Sequence, residues 1–485
     1  MNKTIHGRPL APVLGALLLA ALSFALLQTM VAPALPQIAV EYSTTPSTAA
    51  WVMTGFLLSA SVSTPLAGKL GDLFGKARVL TIVLLVFSLG SIVCALADSI
   101  EVLIAGRILS GVAGGVFPLS FGIINDEVPA ERRALGIGLM SAMFGIGGGI
   151  GLPLAGVIVD NTDLSWLFLL GLLATPAAIA VWRLVPASPA RERTRIDWAG
   201  AAVLSAALAS ILLAISNANA WGWDSASVLG LLIGGLALLI GFGLLESRTS
   251  DPLVDMRVLG DRPVLATNIT AFLVGLAMFG SFLLIPQFAQ TPEGSGYGFG
   301  MSVTQAGLVM LPSAATMLIA GPMGGILGSR IGFRRVLMLG TSLAGASFVV
   351  LAFAHQSVWE FVVAGVLLGF GISFAFASMA NLIVASVPPR DVGIATGINT
   401  IMRTMGGAFG AALVTALLTA DTFPDTTIPT EGAYTLAFAI SAVGALLALL
   451  AAIAIPASRV LTHARAPQVQ APALERELAA APAKR

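Results

Sequence analysis

The sequence predicts an all-α integral membrane protein, built from two six-helix halves with two further helices inserted between them. Three observations support this prediction: the chain is unusually apolar, its apolar runs have the length of membrane-spanning helices, and short motifs recur at a fixed spacing. Of the 485 residues, 57% are hydrophobic and 10% are charged, whereas soluble chains carry about 25% charged residues. A water-facing domain cannot bury so much apolar surface, so we expect the bilayer to be the solvent.

The same composition excludes several other classes. A net charge of +1 argues against an electrostatic nucleic-acid binder. The single cysteine, Cys94, lies inside an apolar run, which excludes a disulfide framework and a thiolate metal cluster. We find no nucleotide-binding loop, catalytic triad or metal-ligand spacing. We therefore predict a protein that is not an enzyme, that needs no cofactor or metal, and that has no catalytic residues.

Fourteen apolar runs are long enough to span a bilayer, which takes about 20 residues. They are 12–36, 47–68, 77–97, 101–124, 134–158, 164–184, 198–216, 226–245, 264–288, 303–324, 335–354, 358–386, 391–419 and 433–456. None shows the alternation of barrel strands, so all are predicted to be helices.

The positive charges predict the orientation of these helices. Of the 25 Lys and Arg residues, only Arg107 and Arg403 lie inside predicted helices and away from their ends. All the others fall at the two ends of the chain and in every second loop, while the intervening loops carry acidic residues only. Because positive loops stay in the cytoplasm, we expect a multi-pass plasma-membrane protein with both termini inside.

A repeat divides the chain. Glycines and charged residues recur at an offset of 257, for example Gly75 and Gly332, and Arg133 and Arg390. We predict an N-terminal half at 1–190, a linker with inserted helices 7 and 8 at 191–262, a C-terminal half at 263–458 and a disordered cytoplasmic tail at 459–485. Parallel repeats of this kind are typical of transporters whose substrate site lies between the halves.

The first cytoplasmic loop, "GKLGDLFGKAR" at 68–78, concentrates charge and glycine in a short turn. Gly68 and Gly75 permit a sharp reversal of the backbone. Asp72 can accept hydrogen bonds at the start of a neighbouring helix, or pair with a cation such as Lys76 or Arg78. We predict a charged gate that closes the cytoplasmic side; the alternatives are loop capping for Asp72 and simple topogenic charge for the basic residues.

This loop resembles the signature of the major facilitator superfamily. "LIAGRILSGVAGG" at 103–115 resembles the helix-4 motif of that superfamily, with Arg107 as its arginine. "DWAG" at 197–200, "PLVDMRVL" at 252–259 and "GINTIMRTMGGAFG" at 397–410 are similar to features of its fourteen-helix drug:proton antiporter branch. The resemblance implies a major-facilitator-type fold, efflux of drugs or antibiotics, and a link between Arg107 and proton movement.

Charges inside the membrane are costly and mark functional positions. Arg107 is about 8 Å from the outer start of helix 4, within snorkelling reach, and Arg403 is about 18 Å into helix 13. We predict that both arginines line the cavity or control its conformation, against the alternative of satisfied structural arginines. Gln28 and Asn399 are predicted to orient the substrate.

The chain also departs from the family pattern. In "LLQTMVAPALP" at 26–36, Leu27 stands where the branch has an Asp, and the middle of the helices holds no acidic residue. The glycine-rich helix 5 has Gly147, Gly151, Pro153 and Gly156, with the proline one residue later than in the antiporter motif. These residues permit close helix contact and bending. A cavity with arginine and no carboxylate predicts neutral or anionic substrates.

We predict a monomeric transporter that exports amphiphilic small molecules from the cytoplasm, most simply by proton antiport with alternating access. Two alternatives remain open: a dedicated exporter of one endogenous metabolite or self-made antibiotic, and a non-transporting membrane sensor on the same scaffold.

Overall fold

In the computed structural model the described residues are 4–5, 8–44, 46–186, 197–249, 252, 254, 256–388, 391–424, 426 and 428–456. The predicted tail at 459–485, Arg390 and part of the predicted linker lie outside them. Long helices occupy all fourteen predicted positions. The first seven are α1 Leu10–Glu41, α2 Pro46–Phe74, α3 Lys76–Ala95, α4 Ile100–Glu127, α5 Ala130–Asn161, α6 Ser165–Leu184 and α7 Trp198–Trp221. The others are α8 Ala226–Glu246, α9 Arg262–Gln290, α10 Val303–Val309 with Leu311–Ile331, α11 Phe333–Phe353, α12 Val358–Ser386, α13 Val392–Ala420 and α14 Glu431–Ile453.

Within the described residues, thirteen of these helices have the length and hydropathy of a membrane span. The helix α2, which has 29 residues, is not among those thirteen. The all-α membrane fold predicted from the sequence is therefore confirmed. A two-residue strand pair, Thr4–Ile5 with Arg8–Pro9, was not predicted, and a short helix at Met256–Gly260 precedes α9.

The helices are less continuous than the sequence predicts. The middle of α4 tightens into a 3₁₀ turn at Gly111–Gly115, and α6 does the same at Leu170–Leu173. The turn in α4 lies against α2: a Cβ on Gly114 would be 2.4 Å from the carbonyl oxygen of Ala60. The glycines thus let the two backbones meet.

The same pattern of helix neighbours occurs twice. In the first half α1 packs on α5 and α6, and α3 packs on α4 and α6; in the second half α9 packs on α13 and α14, and α11 packs on α12 and α14. The halves meet where α5 packs on α10 and α12, and where α2 packs on α13. The exact domain boundaries stay a prediction.

The two inserted helices lie differently. The helix α7 packs against both α2 and α13, one from each half, and the amide of Asn219 on α7 donates to the carbonyl of Ala412 on α13 at 2.9 Å. The helix α8 packs mainly on α7, and its outer side exposes Ile233, Leu236 and Ile240. Of the two inserted helices, α7 therefore packs on both halves in the described part of the chain.

Candidate transport site between the two halves

The turn between α2 and α3 depends on Gly75, whose φ of 93° is rarely adopted by other residues. Its counterpart Gly332, between α10 and α11, has a φ of 95°. The two loops that resemble each other in sequence therefore share one backbone conformation, and each glycine caps the following helix.

Lys76 follows this turn and is buried, with 3% of its surface exposed. Its ammonium lies 2.7 Å from Asp126 at the end of α4 and 3.5 Å from Asp72 on α2. The carboxylate of Asp72 in turn lies beside Gly393 at the start of α13: a Cβ built there would be 3.5 Å from Asp72 Oδ2. The predicted loop at 68–78 is mostly helical, since α2 extends to Phe74 and α3 begins at Lys76. The end of α2 thus places an anion at the N-terminus of a helix from the other half, where the helix dipole favours it.

The other residues of the segment 68–78 lie around Lys76 and Asp72. Gly68 packs on Gly393, where a Cβ on Gly68 would be 3.1 Å from the Gly393 carbonyl. Lys69 donates to the carbonyl of Pro252, and Arg78 is exposed. Sequence reasoning missed Asp126 as the closest partner of Lys76, because 50 residues separate the two.

Small residues of α5 face two helices. Gly147 and Gly151 lie against α1, where the Thr29 hydroxyl donates to the Gly147 carbonyl at 2.9 Å. On the other side of α5, Pro153 packs on Gly307 of α10, and Gly156 packs on Thr304. The helix-5 motif therefore lies at two close interfaces, one within the first half and one between the halves.

Arg107 does not snorkel: it is fully buried, with 0% exposure. Its Nε donates to the carbonyl of Val52 on α2 at 3.1 Å, and its guanidinium lies 4.1 Å from the Phe56 ring. Its two terminal nitrogens have no hydrogen-bond partner. The predicted helix-4 arginine thus ties α4 to α2.

Arg403 is also buried, with 5% exposure. Its guanidinium lies 4.2 Å from the ring of Phe144 on α5 and 4.3 Å from the ring of Phe376 on α12. The Nη2 atom has no hydrogen-bond partner, and in the described part of the chain no carboxylate pairs with Arg403. Two aromatic rings therefore hold this cation, one from each half.

The space between the halves is almost closed here, with a cavity volume of ≈ 10 Å³, about one water molecule. Its lining includes Phe24, Gln28, Thr64, Phe144, Thr400 and Thr404. Gln28 is buried and its Oε1 has no partner, so the side chain predicted to orient a substrate faces this space.

Asn399 has a partner within its own half, because its amide donates to Asn268 Oδ1 at 3.0 Å. The sequence did not predict Asn268, or the rings that flank Arg403. The only signal was the presence of aromatic residues in otherwise small-residue helices, and this does not show which rings meet.

A second polar group lies at the end of the C-terminal half where α12 and α14 begin. The His355 ring bridges the Leu351 carbonyl at 2.7 Å and the Glu431 carboxylate at 3.0 Å. Nearby, burial raises the pKa of Tyr297 to about 12, helped by Tyr434. These groups link the loops at this end and lie away from the arginines.

Comparison with known proteins agrees with this architecture. A sequence model of the Major Facilitator Superfamily matches residues 17–298 and 267–483. The human organic anion transporter MFSD10 has the same fold, with a TM-score of 0.61 over 91% of this chain and 98% of that chain at 17% identity.

Several curated relatives are transporters. An uncharacterised transporter of Mycobacterium tuberculosis is 31% identical over 82% of this chain, which spans 59% of that relative's length. Multidrug resistance protein 3 of Bacillus subtilis is 28% identical over 81% of this chain and 76% of its own. A uridine/deoxyuridine transporter of Lactococcus lactis is 30% identical over 81% of this chain and 83% of its own length. The chain therefore belongs to the major facilitator superfamily, as its loop and helix-4 motifs indicate, and is a multi-pass membrane protein.

Proposed function

We propose that this protein exports amphiphilic small molecules from the cytoplasm by alternating access, in exchange for protons. The observation that carries the proposal is the closed space between the halves, lined from the N-terminal half by the rings of Phe24 and Phe144 and the Gln28 side chain, and from the C-terminal half by the hydroxyls of Thr400 and Thr404. Such a lining suits a ligand that is partly apolar and partly polar. The similarity to a multidrug resistance protein supports the same substrate class.

The contacts between the halves support the alternating movement. Close small-residue contacts, Gly149 on Ala314 and Gly68 on Gly393, join the halves at two separate seams. At these two contacts the helices meet through glycine and alanine alone, so little side-chain packing has to be broken at these points when a seam opens. In this scheme both termini lie in the cytoplasm and the chain acts as a monomer in the plasma membrane.

The proton site is proposed at the ends of the helices, since no described carboxylate lies beside the arginines. Asp72 and Asp126 share the buried Lys76, and Asp72 also lies beside Gly393, at the seam that the cytoplasmic opening would separate. Protonation of Asp72 removes the anion that faces the start of α13, and this loss favours separation of the halves.

The test uses everted membrane vesicles with an imposed pH gradient. Cationic, neutral and anionic amphiphiles are added in turn, together with uridine, and dissipation of the gradient is followed. Protein-dependent dissipation by amphiphiles supports the proposal. Dissipation by uridine alone indicates a nucleoside transporter, and no dissipation by any compound contradicts proton exchange.

A further inference from the structure

Arg403 is a buried cation with which no anion pairs among the residues that the structure describes. Its guanidinium rests on Phe144 and Phe376, and its Nη2 makes no hydrogen bond. Burial of an unpaired charge is costly, and aromatic rings offset only part of that cost. The arginine is therefore suited to a ligand that brings a negative charge.

The ring contacts of Arg403 cross from one half of the protein to the other. Arg403 and Phe376 belong to the C-terminal half, whereas Phe144 is on α5 of the N-terminal half. If the halves move apart, Phe144 withdraws and the guanidinium loses one of its two rings. The position that the Phe144 ring leaves is flat and favours another aromatic ring. It lies next to Arg403 Nη2, which has no hydrogen-bond acceptor among the described residues.

The surroundings add to this preference for an anion. Phe144 packs on Phe24, which packs on Phe56, and Phe56 carries the guanidinium of Arg107. The two buried arginines are thus joined by a row of three rings, with no described carboxylate pairing with either. Two unpaired cations disfavour a cationic ligand in the space beside them.

We propose that Arg403 is the binding site for aromatic anions, meaning a planar ring that carries a carboxylate or sulfonate. The anionic group pairs with the guanidinium, and the ring takes the place that Phe144 holds in the closed state. The inference rests on the proposed transport function and names the substrate class of its site.

The test compares two dyes that differ in one group: 8-anilinonaphthalene-1-sulfonate and its neutral counterpart N-phenyl-1-naphthylamine. The purified protein is reconstituted in liposomes with a pH gradient, and the transport rate of each dye is measured for wild type, Arg403→Gln and Arg403→Lys. The exposed Arg330→Gln serves as the control for a lost positive charge. We expect Arg403→Gln to slow the sulfonate about tenfold, with the neutral dye changed less than about twofold. Arg403→Lys retains an intermediate rate, since it keeps the charge without the planar fork.

A second measurement uses the wild-type protein and does not depend on the folding of any variant. Naphthalene-1-sulfonate is expected to compete with the anionic dye, and uncharged naphthalene is not. An equal loss of both dyes in a folded Arg403→Gln variant overturns the proposal, and so does transport of the neutral dye alone with no inhibition by naphthalene-1-sulfonate. A wild-type protein that transports no amphiphile of any charge contradicts the proposed function as well as this inference. The two results above contradict the inference alone, so the two failures can be told apart.

Discussion

Gly68 of α2 and Gly393 of α13 face each other across the seam between the halves, with no side chain between them. A Cβ on Gly68 would lie 3.1 Å from the Gly393 carbonyl, tighter than most contacts of a real Cβ. The closest approach of α2 and α13 at this end therefore depends on two glycines that lie 325 positions apart in the chain.

A bulky residue at this contact should hold the seam open. We expect Gly68→Leu to increase the labelling of a cysteine placed at Thr64, which lines the closed space, by a membrane-impermeant maleimide in a Cys94→Ala background. The same change at Gly230 of α8, where a Cβ would meet nothing within 4 Å, is the matched control. Equal labelling in the two variants would show that the glycine contact does not close the seam.

Lys76 separates two carboxylates, and its removal should destabilise the protein. In Lys76→Met, Asp72 and Asp126 lose their shared cation, and breaking a buried pair in this way costs about 3 kcal/mol. We expect a lower Tm for the purified protein in detergent. The double variant Lys76→Met with Asp126→Asn should recover part of the loss, because one negative charge is removed. No recovery would mean that Lys76 acts through packing alone.

The two turn glycines should tolerate substitution poorly. Gly75→Ala or Gly332→Ala forces a side chain into a positive-φ conformation and should cost about 1–2 kcal/mol each. Gly230→Ala in the exposed part of α8 should have the opposite sign, with a gain of up to about 1 kcal/mol. Thermal unfolding of the three variants measures both effects; a loss at Gly230 as large as at Gly75 would argue against backbone strain as the cause.

A carboxylate at position 28 should change the charge preference of transport. Gln28 lines the closed space, whereas its neighbour Leu27 is buried toward α6, beside Gly171. We expect Gln28→Glu to favour a lipophilic cation such as ethidium over an aromatic anion, since the added charge attracts the cation. Leu27→Glu should instead lower the amount of folded protein, because its carboxylate has no polar surroundings. If Leu27→Glu alone increased cation transport, Leu27 and not Gln28 would line the closed space.

The sequence was sufficient for the membrane helices, the turn glycines and the two buried arginines, because each of these depends on local pattern or on charge within an apolar run. It was not sufficient to predict which side chains these residues contact. Lys76 meets Asp126 and Arg403 meets Phe144 only after distant helices pack, and nothing near Lys76 or Arg403 in the sequence identifies those neighbours. Arg107 was placed within reach of the membrane surface by its distance from the helix start, yet packing on α2 turns its side chain inward.

The position of α7 has a consequence for the surrounding lipid. This helix covers the membrane-facing side of the line along which α2 and α13 meet, and its hydrogen bond from Asn219 to Ala412 holds it there. Acyl chains, and any compound dissolved among them, are shut out from the interior along this flank. On this flank a hydrophobic solute that partitions into the leaflet meets α7, and not the line where α2 and α13 join.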